Sequence, residues 1–120
     1  MILVDTSTWI GHFRESDSRL VELLARGTAA TCAVVRAELR LGAGVPREAA
    51  PLLDRLPDLP VPDARAALAF LGRHHRHLAS AGIGYADLLI LACAAGSGSL
   101  LRTSDRRLAA AWRSLGFAAG

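Results

Sequence analysis

Residues 84–108 read GYADLLILACAAGSGSLLRTSDRRL, and this stretch decides the fold. Leu88 to Ala95 is an unbroken apolar run, the mark of a helix buried on most sides. The Gly96-Ser-Gly-Ser99 break stops it, Ser99 to Thr103 reads as a strand, and Arg106 to Leu115 as a helix ending before Gly116. Helix, strand and helix in so short a space call for parallel βαβ units. The rest of the chain repeats the alternation. Ile2 to Val4 is a short strand ending at Asp5, with Thr6 or Ser7 as a helix cap, and Ser16 to Arg26 is a helix stopped by Gly27. Thr28 to Cys32 reads as a strand, Ala33 to Ala43 as a helix ending in Gly42 and Gly44, and Arg47 to Leu56 as a helix closed by Pro57. DLPVPD at 58–63 fits a short edge strand or an extended connector, and Ala64 to Ala81 is a long helix ended by Gly82. The expected architecture is α/β: a three-layer α/β/α sandwich around a short, mostly parallel, Rossmann-like sheet with right-handed crossovers.

Composition bounds the rest. With 120 residues, the expectation is one domain spanning 1–120. Hydrophobic residues at 52% against 21% charged describe a folded chain, not a disordered one. All 14 basic residues are arginine and face 11 acids, a net charge of +3. Arginine suits polyanionic partners, and coding bias toward Arg and Ala accounts for the excess equally well. MILVDTSTW carries no basic leader and no small-residue cleavage site, and the apolar core before Gly96 is too short to span a bilayer. The expected location is the cytoplasm, with Cys32 and Cys93 as buried reduced thiols.

Asp87 is out of place. It is the only Asp, Glu, Lys or Arg between Arg76 and Arg102, and it opens the most apolar helix in the chain. An unpaired carboxylate in such a setting costs several kcal/mol or is neutralised. Glu38 raises the same question. At about 100° per residue, Leu41, Val34, Gly42, Val35 and Leu39 make one apolar arc with Glu38 inside it, while Arg36 and Arg40 point away. Burial against a distant arginine or a backbone amide is its alternative reading. Asp5 and Asp105 stand at the carboxyl ends of the first and last strands, where open α/β sheets bind ligands. Either also fits as a helix cap. Four carboxylates brought together repel unless a cation compensates, and hard oxygen donors without Cys or His suit Mg²⁺ or Mn²⁺, often shared with phosphate.

VDTSTWI, VVRAELRLG, IGYADLLILACA and LRTSDRRL, in this order and spacing, resemble the PIN-domain ribonucleases, specifically the toxin half of VapBC-type toxin–antitoxin pairs. The resemblance spans essentially the whole chain. It implies that Asp5, Glu38, Asp87 and Asp105 bind Mg²⁺ or Mn²⁺ as the catalytic quartet, with Thr103 and Thr6 or Ser7 supporting them through hydroxyl hydrogen bonds. It also implies endonucleolytic cutting of RNA, a homodimer, and silencing by a cognate VapB-type antitoxin. In-line attack by water would leave 5′-phosphate and 3′-hydroxyl ends. Two departures stand out. Leu89 occupies a position where relatives often carry His, and GFAAG at the C-terminus leaves a final edge strand short or absent.

Other functions are poorer matches. A response-regulator receiver needs a lysine, a haloacid-dehalogenase-type phosphatase needs an acid where Ser7 stands, and a dinucleotide site needs its glycines after a strand. The remaining alternative is a non-catalytic RNA- or antitoxin-binding module that keeps the acidic pocket as a docking site. Arg73-His-His-Arg-His77 reads as a solvated basic face, with His74 and His77 as a metal pair the lesser alternative. Arg102, Arg106 and Arg107 flank Asp105 as candidates for RNA backbone contacts or as an ordinary helix start. Trp9 and Trp112 fit core or dimer packing ahead of base stacking.

Overall fold

Ile2, Leu3 and Val4 are all buried, and so is every residue of Ala29–Cys32. Strands without an exposed face belong to a sheet covered on both sides, as parallel sheets are. The computed structural model describes residues 1–42 and 44–120. In chain order these form β1 (Ile2–Val4), α1 (Thr6–Arg14), α2 (Ser18–Ala25), β2 (Ala29–Cys32), α3 (Ala33–Leu41), α4 (Ala50–Arg55) and β3 (Asp58–Leu59). There follow α5 (Ala64–Leu78), α6 (Tyr85–Gly96), β4 (Leu100–Arg102) and α7 (Arg106–Ser114). The strand order is β3-β2-β1-β4 and every pairing between these strands is parallel. The fold is the expected three-layer α/β/α sandwich.

Register places the site. Val4 lies opposite Arg102, and Leu3 opposite Ala30, so the carboxyl ends of β2, β1 and β4 emerge side by side. Asp5 continues β1 and donates its N–H to the Arg102 carbonyl at 2.9 Å. The core beneath is built on Trp9, Trp112, Leu3, Leu20, Leu91 and Leu101. Both tryptophans are at most 1% exposed, which removes them as base-stacking surfaces. Five consecutive buried residues, Ile90 to Ala94, make α6 the buried helix that its composition required. Among the described residues no helix is long and apolar enough to cross a membrane.

Several expected boundaries shift. The second helix starts at Ser18, because the Asp17 carboxylate caps it by accepting the Leu20 N–H at 3.0 Å. The helix expected from Arg47 occupies only Ala50–Arg55. The long helix ends at Leu78, kinked at His74, and turns at Gly82, whose φ of +70° is the left-handed conformation glycine adopts readily. Thr28, Ser99 and Thr103 fall outside the strands. Leu41, placed in the apolar arc by the helical wheel, is 88% exposed, because α3 ends at that residue. Ala43, the expected end of that helix, lies outside the described residues. Beyond α7 the final strand is reduced to a single parallel bridge between Leu101 and Ala119.

Candidate active site

The strand-to-helix turn at Asp5 directs a carboxylate inward. Its backbone carbonyl accepts the first N–H groups of α1, from Thr8 at 3.1 Å and Trp9 at 3.3 Å, but its side chain makes no cap. The alternative reading of Asp5 as a side-chain cap is therefore not what the structure shows. Thr6 and Ser7 lie inside α1 and do not cap it either. Instead, Asp5 Oδ2 accepts two hydroxyls, from Ser7 at 2.8 Å and Thr103 at 2.7 Å. Each hydroxyl has one proton, and both are directed at the carboxylate, so the 3.1 Å approach of the two hydroxyl oxygens follows from sharing that acceptor. Asp5 itself is only 4% exposed.

Thr103 also joins Asp5 to Asp105. Its Oγ1 accepts the Asp105 N–H at 3.0 Å while donating to Asp5. Asp105 does cap α7, accepting the N–H groups of Arg107 at 2.9 Å and Leu108 at 3.2 Å, and it spends Oδ1 alone in doing so. Ser104 ties the two turns further through its N–H to Ser7 Oγ at 3.0 Å and its hydroxyl to Thr8 at 3.3 Å. The roles of Thr8 and Ser104 went unseen in the sequence; the hydroxyl-rich turns TST and TSD are the signal for them.

Glu38 comes from α3. Its Oε1 accepts the Thr6 hydroxyl at 2.7 Å, so Thr6 and Ser7 serve different acids. Partial burial drives its pKa up, against the Thr6 hydrogen bond, and the negative charges of Asp5 and Asp87 push the same way. Asp87, at the start of α6, accepts the Gly84 N–H at 3.4 Å. Its pKa is also raised, first by burial and then by Asp5 and Asp105. Thr6, Ser7 and Thr103 thus link Glu38, Asp5 and Asp105 at the carboxyl end of the sheet, and Asp87 faces the charges of Asp5 and Asp105. Among the described residues, no group of three or more His, Cys, Asp or Glu is gathered tightly enough to hold an ion as it stands.

The neighbouring cations are distributed differently from expectation. Arg102 Nη2 grips both oxygens of Asp17 at 3.1 and 3.2 Å, so this arginine is partly committed to a structural pair. Arg106 and Arg107 are exposed. The His74 ring packs on Phe70, centroids 4.6 Å apart, and Arg73 lies over the same ring. Cys32 and Cys93 are free and buried, and they meet: Cys93 donates to Cys32, lowering the Cys32 thiol to about 7 and raising its own pKa.

With this geometry in view, the PIN domain family matches residues 2–112. The chain belongs to the PIN-domain family. A similar protein is Ribonuclease VapC32 of Mycobacterium tuberculosis, in strains CDC 1551 / Oshkosh and ATCC 25618 / H37Rv. It is 42% identical over 120 residues, covering 98% of this chain and 95% of the relative. Among solved structures, FitAcB from Neisseria gonorrhoeae is similar with a TM-score of 0.64 at 21% identity, covering 99% of this chain and 96% of that one. PAE2754 from Pyrobaculum aerophilum follows with 0.61 at 21% identity, covering 94% and 86%. At that identity the two structures speak for the fold alone.

Proposed function

We propose that residues 1–120 are one PIN domain acting as a divalent-metal-dependent endoribonuclease, the toxin of a toxin–antitoxin pair. PIN-domain ribonucleases generally depend on a divalent metal. Support from the relatives is the name ribonuclease carried by a protein 42% identical over nearly its whole length. Support from the structure is one observation above the others: Asp5, buried, is held by Ser7 and Thr103 beside Asp105, in a field shared with Glu38 and Asp87.

The donors fit a hard cation. They are carboxylate oxygens supported by hydroxyls, and the crowding that raises the Glu38 and Asp87 pKa values is relieved by positive charge. In this reading Asp5, Glu38, Asp87 and Asp105 hold Mg²⁺ or Mn²⁺. Such a cation, when bound, neutralises phosphate charge and makes water a better nucleophile. The chain's own part is orientation. Thr103 and Ser7 fix which Asp5 oxygen is engaged and Thr6 fixes Glu38, while the Asp105 cap locks the TSD turn against α7. RNA is the substrate, a VapB-type antitoxin the inhibitor, and a homodimer the working form.

The open spacing of the acids favours a second reading, in which the acidic face docks a partner's arginine without catalysis. Incubation of purified protein with total cellular RNA separates the two. The nuclease reading expects cleavage in Mg²⁺ or Mn²⁺, none in EDTA, and 5′-phosphate with 3′-hydroxyl ends. No cutting in either cation leaves the docking module.

A further inference from the structure

A cavity of about 290 Å³ opens between β4, α7 and the segment after α7. Thr103 lines it and donates to Asp5 at 2.7 Å, so the cavity adjoins the acidic face without being part of it. Arg102, Arg106 and Arg113 line it, with no acidic side chain among the lining residues. Arg106 and Arg113 stand two turns apart on one face of α7, and Ala109 between them leaves room for a ligand to approach. Leu101 and Trp112 back it from the core, each only 1% exposed. The Asp17 pair uses Arg102 Nη2 and leaves the buried Nε without a partner among the described residues.

The acids themselves create the need for such a site. Four carboxylates repel a phosphodiester that approaches them, and a cationic patch on the flank offsets that repulsion for the strand as a whole. The cavity lies at the small end of the range for ligand sites, suited to a single base with its phosphate. Two arginines on one helix face beside an open cavity are the combination that pairs a phosphate bidentately. Resting on the nuclease reading, we infer that this cavity is a nucleotide subsite for single-stranded RNA, holding the residue next to the scissile phosphate with Arg106 and Arg113 on its phosphate.

The test is anisotropy with a labelled single-stranded RNA oligomer in EDTA, followed by cleavage of the same oligomer in Mn²⁺. Replacing both arginines, R106A with R113A, should weaken binding about tenfold or more and reduce the slope of log K against log salt by about 0.7, the share of one single-strand phosphate. KM for cleavage should rise in proportion while kcat stays within about threefold. Ala109→Phe fills the cavity without removing charge and should weaken binding with the salt slope unchanged; if that variant misfolds, Arg113→Glu serves with the opposite expectation for the slope. Unchanged affinity and slope in R106A/R113A, beside a wild type that cleaves, overturn the subsite and leave the nuclease standing. Loss of affinity for an acidic protein partner with RNA binding intact also overturns it. A wild type that binds RNA through these arginines but never cleaves it overturns the nuclease reading instead.

Discussion

Asp5 is held by protons from two hydroxyls on a single oxygen, and this sets what its replacement should do. Asp5→Asn keeps the shape and removes the charge, so the fold should persist while cleavage falls about a hundredfold or more. Because Asp5 helps raise the Glu38 and Asp87 pKa values, its neutralisation should also leave the metal-free melting temperature equal or higher. Rate and melting curve on one preparation check both; full activity in Mg²⁺ would remove Asp5 from the role given it. Thr103 is the finer probe. Thr103→Val deletes both the 2.7 Å bond to Asp5 and the acceptor for the Asp105 N–H, and an outer partner of this kind is worth about 10–100-fold in activity or metal affinity. Thr103→Ser restores the hydroxyl and should recover most of that loss, which a purely steric role for Thr103 would not produce.

Among elements, what the sequence disclosed and what it hid divide by range. α6 was legible because an apolar run around a single acid has few structural solutions, and Glu38 because a carboxylate inside an apolar arc contradicts its own helix. Leu41 misled for a local reason: a wheel assumes that the helix continues along the core, and α3 stops there. The Thr103 to Asp5 bond, the Cys32–Cys93 contact and the Arg102–Asp17 pair were hidden because only the parallel register and helix packing bring their partners together. The last of these carries a prediction at this scale, since Asp17 both caps α2 and fixes β4 through Arg102. Asp17→Ala removes a cap and leaves a partly buried guanidinium unpaired, so it should cost about 2–3 kcal/mol in urea denaturation. Arg102→Met in the same background should add less than it costs alone, because the two changes share one interaction; strict additivity would show that the pair contributes nothing beyond the cap.

For the whole molecule, the acids make stability depend on pH in a direction that can be worked out. Glu38 and Asp87 have folded pKa values raised above their ordinary 4.5 and 3.8, first by burial and then by Asp5, with Asp87 adding to Glu38 and Asp105 to Asp87. Between the ordinary and the raised values the folded state binds more protons than the unfolded chain, so stability falls as pH rises through that window. Asp17 has the opposite sign. Burial acts against it, yet the Leu20 N–H and Arg102 hold its pKa below 3.8, so its contribution is present above that value and is lost as pH falls through the lowered one. In EDTA, then, the melting temperature should decline as pH rises above the ordinary carboxylate values, on the far side of an optimum set by Asp17. A cation that binds the folded acids cancels the decline, and at a hundred times its dissociation constant it adds about 2.7 kcal/mol. Differential scanning calorimetry in EDTA and in Mn²⁺ measures both, with Glu38→Gln and Asp87→Asn expected to flatten the metal-free slope. A flat profile in EDTA, unchanged by either substitution, would show that the acids do not share a field. The case for one cation-binding face would then fail, however closely the chain resembles its relatives.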